Sequence, residues 1–338
     1  MGEKRIVPRR RITGSVGGWT ESKLEELSFF SKGRGYSKKD LRDSGHPLIL
    51  YGRLYTNYET IINSVDTYTV KQENSVLSKG GEVVVPSSGE TKEDIARASV
   101  IAKANIILGG DLNIINTSDM LDPVFLALSI SNGTPQKELI KRAQGSSVVH
   151  IYNEDLMNIT LYYPHIKEQQ KIGEFFKLLD ERIANQERKI AKVKALKSAY
   201  LTEMFPQEGE TAPKRRFKGF VEEWQVWLVN DIGNSTYGGG TPKTTNDQYW
   251  GGNIPWIQSS DLIDDSLYIN TPTKNITELG LAKSAAKLVP ANSIAVVTRV
   301  GVGKLAFMPY EYSTSQDFLS ISNLNVDYQF GAYVMYNL

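Results

Sequence analysis

The chain has 338 residues, of which 40% are hydrophobic and 23% charged, and its net charge is +1. This composition is typical of a globular protein and excludes a disordered or collagen-like chain. Cysteine is absent, which excludes disulfides, cysteine-ligated zinc and thiol nucleophiles. No run of about 18 apolar residues predicts a membrane span, and the first residues lack the apolar stretch of a signal peptide. We therefore expect a cytoplasmic protein that does not enter a membrane.

Short β-rich runs predict a mostly β module in the first part of the chain, because Gly, Ser, Asn and Pro separate them. The predicted strands there are 48–51, 82–85, 106–108 and 148–151, and the apolar run 123–131 predicts a short helix. The later part of the chain shows the same pattern, with a predicted strand at 293–298 and a predicted helix at 330–337.

A long helix is predicted at 165–205, where no Gly follows Gly173 and no Pro occurs before Pro206. Its apolar positions are Ile172, Phe176, Leu179, Ile183, Ile190, Val193, Tyr200 and Met204. With Gln186 and Lys197 inserted, the spacing alternates between four and three residues, which is the heptad pattern of a coiled coil. The helix would be about 58 Å long. We expect this stripe to pair with another helix, and the alternative is an amphipathic helix packed on its own domain.

The chain also contains an internal repeat. Residues 8–38 align without a gap with residues 213–243, an offset of 205 from Pro8 to Pro213. The identical pairs are Pro8/Pro213, Arg10/Arg215, Arg11/Arg216, Gly14/Gly219, Val16/Val221, Trp19/Trp224, Gly33/Gly238, Gly35/Gly240 and Lys38/Lys243. Asp122, Phe125 and Ala127 match Asp327, Phe330 and Ala332 at the same offset. The sequence therefore predicts two copies of one module.

The second copy is expected to be incomplete, since Leu338 corresponds to about Gly133 of the first copy. We predict an α+β fold in which a long coiled-coil helix joins two mostly β domains. The predicted domains are 1–163, the spacer helix 164–206, and a truncated second domain 207–338.

Motifs of self-contained catalysis are missing from the sequence. It has no Asn-Pro-Pro-aromatic motif of amino-methyltransferases and no Gly-x-Ser-x-Gly elbow. The nearest run to a phosphate-binding loop, 301–304, lacks the first glycine and the hydroxyl residue. The histidines, His46, His150 and His165, have no spacing typical of metal ligands. We expect no catalytic residue and no metal site in this chain.

The run 155–205 resembles the central conserved region of the specificity subunit of type I restriction–modification systems. The matching features are the strand 159–162, Pro164, the helix start 168–172, Leu179-Asp180, Ile183, Leu196-Lys197 and Met204-Phe205. The segments 213–224, 238–243, 249–251 and 254–257 are similar to the start of that family's target recognition domain. The distal conserved helix of the family has no counterpart in the sequence.

The resemblance implies two recognition domains, each reading half of a split target in double-stranded DNA. It implies partners as well: methyltransferase (modification) subunits that methylate adenine, and a restriction subunit. S-adenosylmethionine, ATP and Mg would belong to those partner subunits, and none of these cofactors to this chain. The specificity subunit itself would be non-catalytic. Because the distal helix is missing, we expect the spacer helix to pair with another chain, as in a homodimer.

Candidate DNA-contacting residues lie in turns and at strand ends. Segment 207–338 has ten Lys or Arg against thirteen Asp or Glu, so its surface as a whole is not basic. Contacts to DNA must therefore come from local clusters of side chains and from base recognition. Lysines near glycines would meet phosphates, and an arginine at a strand end can bind guanine. Tyr51, Arg53 and Tyr55 would share one strand face. The predicted contacts are Arg34, Lys38, Lys39, Tyr51, Arg53, Ser87, Lys92, Tyr237, Thr241, Lys243, Arg299 and Lys304.

For the tract 31–39 and its counterpart 237–243 the alternative is a solvated turn, and for 299–304 it is a plain hairpin turn. Trp19 and Trp224 are expected to be core anchors instead. Two other functions stay open at this stage. One is a coiled-coil interaction scaffold without a DNA role, which would not bind DNA selectively. The other is a fragment of a fused DNA methyltransferase, which a methyl-transfer assay would detect.

Overall fold

A computed structural model describes residues 8, 10–11, 17–145, 148–264, 266–269 and 271–338. The chain forms two compact units, unit 1 (1–188) and unit 2 (189–338). The division falls inside the long helix, and a separate spacer domain at 164–206 stays a prediction. In the part of the chain that is described, no helix combines the length and apolar character needed to cross a membrane.

Unit 1 consists of short strands and helices that precede the long helix. Its elements are β1 (Thr20–Lys23), β2 (Ser28–Lys32), β3 (His46–Ile49), α1 (Arg53–Thr56), β4 (Ile61–Ile62), β5 (Tyr68–Thr69), β6 (Val83–Pro86), β7 (Ser88–Gly89), α2 (Lys92–Ile95), β8 (Ser99–Ile101), β9 (Ile107–Leu108), β10 (Leu112–Thr117), α3 (Pro123–Ser131), α4 (Gly133–Arg142), β11 (Val149–His150), α5 (Asn153–Met157) and β12 (Thr160–Tyr163). One sheet has the order β2-β10-β6-β8-β4, a second has the order β5-β3-β9, and β1-β12 and β11-β7 form separate pairs.

Strand β6 separates two hydrophobic cores. Val83 and Val85 pack into one core with Phe125 and Leu126 of α3, and Val84 packs into the other with Leu112 of β10. Successive side chains of a strand point to opposite faces, so three consecutive valines suit a strand with apolar neighbours on both sides. The predicted strand 82–85 is confirmed, shifted by one residue.

The long helix α6 (Ile166–Met204) begins on unit 1 through a buried glutamine. The Gln169 side chain is fully buried. Its oxygen accepts the Asp122 N–H at 2.9 Å, and its nitrogen donates to the carbonyls of Met120 at 2.9 Å and Pro164 at 2.8 Å. These bonds satisfy backbone groups just before α3, at Met120 and Asp122, and just before α6, at Pro164. The predicted helix 165–205 is confirmed, and one helix of 39 residues runs across the boundary between the units.

Unit 2 continues from α6 with a smaller set of elements. They are β13 (Gly233–Gly238), β14 (Trp250–Ile257), β15 (Lys274–Ile276), α7 (Glu278–Ala282), β16 (Ser293–Val297), β17 (Leu305–Met308), β18 (Ser313–Thr314), β19 (Phe318–Leu324) and α8 (Tyr328–Tyr336). One sheet has the order β13-β19-β16-β17, and a second has the order β15-β14-β18. The core between them contains Ile257, Ala295, Val297, Met308 and Tyr312.

The two units share one topology, which confirms the internal repeat. The antiparallel order β2-β10-β6-β8 recurs as β13-β19-β16-β17. Strand β3 has an antiparallel neighbour, β5, and a parallel one, β9, as β14 has β15 and β18. Asp122 caps α3 by accepting the Phe125 N–H at 2.9 Å, and Asp327 caps α8 by accepting the Phe330 N–H at 2.9 Å.

The repeated tryptophans make the same aromatic contact, but only Trp19 packs against a core as predicted; Trp224 is half-buried and belongs to none of the cores described for unit 2. Trp19 meets the Phe125 ring edge-on at 5.8 Å, and Trp224 meets the Phe330 ring at 5.4 Å. The same aromatic pair therefore recurs at the offset of the repeat. These residues belong to the scaffold rather than to the loops in which the two units differ.

Candidate nucleic-acid interface

A groove of about 940 Å³ crosses unit 1 beside the turn that follows β3. It brings together four of the predicted contacts, Lys38, Lys39, Tyr51 and Arg53. Tyr36, Tyr55, Asp66, Glu90 and Asp111 also line it. The groove therefore combines aromatic faces with charges of both signs, and it has no uniformly basic lining.

Lys38 and Lys39 lie in a 3-10 turn at the edge of this groove, and both side chains are exposed. Asp40 shapes the turn by accepting the Ser37 N–H at 2.7 Å and the Ser37 hydroxyl at 2.9 Å. These hydrogen bonds, with Lys39 and Arg42 nearby, lower the pKa of the Asp40 carboxyl below its usual value. A capped turn with two exposed ammonium groups suits contacts to phosphates.

Arg53 lines the groove, but its guanidinium is already bonded to residues of its own unit. Its Nη2 donates to Glu59 Oε2 at 2.6 Å, its Nη1 donates to the Asn57 carbonyl at 3.0 Å, and its side chain is 12% exposed. The predicted strand face of Tyr51, Arg53 and Tyr55 is wrong, because Arg53–Thr56 forms helix α1. A two-residue repeat does not hold in a helical turn, and the rings of Tyr51 and Tyr55 instead meet at 6.3 Å. Burial raises the pKa of Tyr55 above its ordinary value.

The glycines around Arg34 have a folding role. A Cβ on Gly33 would lie 1.9 Å from the Gly109 carbonyl oxygen, so only glycine fits there. The Gly110 N–H donates to the Gly35 carbonyl at 2.5 Å. Arg34 itself is exposed, and no ion pair to it is found among the described residues. Its guanidinium is therefore available to a ligand beside this closely packed turn.

Ser87 and Lys92 do not form a shared contact surface. Ser87 is 5% exposed, and its N–H donates to the Asp111 carbonyl at 2.8 Å. The expectation that Ser87 contacts DNA is therefore corrected, because the chain folds inward here and places Ile95 and Ala96 in the core. Lys92 is exposed at the start of helix α2, whose cap is Thr91.

In unit 2 the predicted contacts near β13 divide between core and surface. Tyr237 packs partly buried against the core around Ile257. The Thr241 hydroxyl is hydrogen-bonded to the Gln316 side chain, and Lys243 is exposed. The glycine turn between them is tight, since a Cβ on Gly240 would lie 2.3 Å from the Ala285 carbonyl carbon.

Arg299 and Lys304 lie on the loop that joins β16 and β17. The Val297 N–H donates to the Lys304 carbonyl at 2.8 Å and closes the loop at its base. Lys304 forms an ion pair with Asp264. Arg299 is exposed, and it has no ion-pair partner within the part of the chain that the structure describes. Arg299 is therefore the more available of the two cations.

Lys274 is a candidate that the sequence patterns did not single out. Its ammonium lies 5.7 Å from the ring centre of Trp256 and 5.9 Å from that of Trp250. It also donates to Gln258 Oε1 at 3.3 Å. The pairing of β14 with β15 brings Lys274 next to these side chains, so the sequence around Lys274 does not predict the contacts.

The apolar stripe of α6 is largely exposed within this chain. Exposure is 57% at Ile183, 55% at Ile190 and 65% at Val193. Phe176, Leu179 and Tyr200 are also exposed, whereas Ile172 packs on the core of unit 1 and Met204 lines an apolar pocket in unit 2. Phe175 and Leu178, outside the stripe, are exposed as well. An apolar face of this kind is typical of a helix with a partner.

Comparisons with known proteins agree on one family. The profile described as "Type I restriction modification DNA specificity domain" matches residues 17–195 and 221–338. The MjaIX specificity subunit of Methanocaldococcus jannaschii is 35% identical over 101 residues, which is 30% of this chain and 23% of that protein. The EcoR124I/EcoR124II specificity subunit of Escherichia coli is 38% identical over 87 residues, 25% of this chain and 20% of that protein. The matched stretches thus span less than a quarter of these curated relatives.

Solved structures show the same fold at low sequence identity. The S subunit of a type I restriction-modification system from M. genitalium superposes with a TM-score of 0.62 and 14% identity, covering 98% of this chain and 80% of that one. A chain from a study of complex assembly and conformational transition in the type I R-M system gives a TM-score of 0.51 and 16% identity, covering 98% and 81%.

Proposed function

Because this chain belongs to the family of type I restriction modification DNA specificity domains, we propose that it recognises DNA sequence. The observation that supports the proposal most directly is the repeat. Two units share one strand order, yet the connection from β6 to β8 folds into the core, while its counterpart from β16 to β17 is an exposed loop. A common frame with different surface loops suits a protein that reads two different sequences.

Each unit would read one half of a split target. In unit 1 the reading surface would be the groove with Lys38, Lys39 and the neighbouring Arg34. In unit 2 the contacts would come from the exposed Lys243, Lys274 and Arg299. These cations are scattered, so phosphate contacts would position the protein and base contacts would carry the specificity. This division of labour fits a chain whose net charge is only +1.

The chain would act inside a larger complex and perform no chemistry itself. We propose that it docks an adenine methyltransferase subunit and a restriction subunit, which would bring S-adenosylmethionine, ATP and Mg. Helix α6 would pair through Ile183, Ile190 and Val193, with a second copy of this chain as the simplest partner. Light scattering over a concentration range tests this pairing, and a mass near twice 37.8 kDa is the expected result.

Selection from a randomised duplex library with the purified chain tests the main proposal. A specific reader enriches a defined sequence and binds it at least about a thousandfold more tightly than random duplex. The Lys38→Ala/Lys39→Ala variant should weaken binding to all duplexes. The slope of log binding constant against log salt concentration should also become shallower, by the amount expected for the loss of about two phosphate contacts. The control is Lys71→Ala/Lys103→Ala, which removes two exposed lysines outside the groove. No enrichment of any sequence would contradict the proposal.

A coiled-coil scaffold without a DNA role is the second candidate, and the exposed stripe of α6 favours it. The library experiment described above distinguishes the two candidate functions. A scaffold would form the helix-paired dimer and bind every duplex equally, with no loss from the Lys38→Ala/Lys39→Ala variant beyond that of its control.

A further inference from the structure

The loop between β16 and β17 carries two apolar side chains in an unusual position. Val300 is 66% exposed and Val302 is 71% exposed. Arg299 precedes them and Lys304 follows them, and the cores of unit 2 include neither valine. Single exposed apolar residues are common, but here two valines alternate with glycines at the tip of a loop between two cations.

The loop is held in a defined conformation. At its base the Thr298 N–H and hydroxyl both donate to the Asp317 carbonyl, at 2.7 and 3.1 Å. The Gly303 N–H donates to the Val297 carbonyl at 3.2 Å, and Gly301 and Gly303 have φ of +84° and +92°. Glycine suits these left-handed positions, so the loop projects in a set shape.

Comparison of the two units shows that the fold does not need this tip. The corresponding connection in unit 1, between β6 and β8, buries Ser87 and Ser88 and sends Ile95 into the core. Both connections are anchored alike, since the Ser87 N–H donates to the Asp111 carbonyl as the Thr298 N–H does to Asp317. The same frame therefore stands without exposed valines, which points to a role outside folding.

We propose that the 299–304 tip enters the major groove of double-stranded DNA, where Val300 and Val302 contact the C5-methyl of thymine and Arg299 contacts an adjacent guanine. This inference rests on the proposed function and adds which bases unit 2 would read, namely thymine and an adjacent guanine. Thymine methyls are the apolar feature of the major groove, and arginine pairs with guanine O6 and N7. Valine is short, whereas wedges that unstack bases in the minor groove use longer side chains such as Phe, Leu and Met.

The test uses the full chain and the duplex enriched from the random library. Each thymine of that duplex is replaced in turn by uracil, which removes only the C5-methyl. For wild type, uracil at the contacted position should weaken binding about fourfold per methyl lost. For the Val300→Ser/Val302→Ser variant, thymine and uracil there should bind equally. Val226→Ser replaces another exposed valine of unit 2 and should behave as wild type.

The outcomes separate this inference from the proposed function. Specific binding with no uracil-sensitive position, or with the same sensitivity in the Val300→Ser/Val302→Ser variant, overturns the inference and leaves sequence recognition intact. Equal binding to all duplexes overturns both. Circular dichroism of the serine variant should match that of wild type, because neither valine contributes to a core.

Discussion

Gln169 provides the sharpest test of how α6 is attached to unit 1. Its fully buried side chain makes three hydrogen bonds, to the Asp122 N–H and to the carbonyls of Met120 and Pro164. Gln169→Ala leaves those three backbone groups without a partner. At about 1 kcal/mol for each lost bond, plus the desolvation of the groups left behind, we expect unit 1 to lose about 3–4 kcal/mol of unfolding free energy.

The matched control is Gln170→Ala, since the neighbouring glutamine is exposed and removing it should cost less than about 0.5 kcal/mol. Hydrogen exchange measured by mass spectrometry localises the effect. In Gln169→Ala, protection should fall in α3 and the first turns of α6, while the strands of unit 2 keep theirs. Equal protection of α3 in the two variants would show that the glutamine bonds do not hold the helix start.

Three further predictions follow from buried or exposed groups. Burial raises the pKa of Tyr312 to about 12, so its phenol stays protonated in the folded state while the unfolded chain ionises near 10. The stability that Tyr312 contributes should thus fall as pH rises above 10, by up to about 2–3 kcal/mol at pH 12, and Tyr312→Phe should remove this contribution in denaturant titrations. Arg53→Met should lower the unfolding free energy by about 1–3 kcal/mol, because the largely buried guanidinium bonds the Asn57 and Ser64 carbonyls as well as Glu59. Glu59→Gln alone should cost less, since this side chain is 43% exposed and its amide oxygen can still accept a hydrogen bond; equal costs would refute this account. Ile183→Glu/Ile190→Glu should convert a helix-paired dimer to monomer in light scattering, and an unchanged mass would show that other residues make the dimer.

The two units indicate how one frame accommodates different surfaces. The capped helices α3 and α8, the Trp–Phe pairs and the strand orders repeat closely, and these features fix the module. The connection after β6 and its counterpart after β16 sit at the same place in the topology and differ in length and burial. The connection after β6 contributes Ile95 and Ala96 to the core, whereas the tip after β16 can vary without disturbing the cores of unit 2, which include neither Val300 nor Val302.

The sequence by itself determined the repeat, the long helix and the family. These features rest on local periodicity and on residues whose role is the same wherever the frame occurs, such as Asp122 and Asp327 as helix caps. The same local reasoning located the strands 48–51 and 82–85 to within about two residues, the usual uncertainty of element ends.

Only the tertiary structure decided which candidate side chains are available to a ligand. Arg53 and Ser87 are residue types that suit DNA contacts. Arg53, however, is paired with Glu59, and Ser87 is buried, with its N–H bonded to the carbonyl of Asp111, 24 residues further along the chain. Lys274 gains its position from strand pairing with the tryptophans of β14. The burial of Ser87 and the position of Lys274 depend on contacts between residues far apart in the chain, which local sequence does not encode. Caps and heptads depend on neighbours within a few residues, and the Arg53–Glu59 pair also joins residues only six apart.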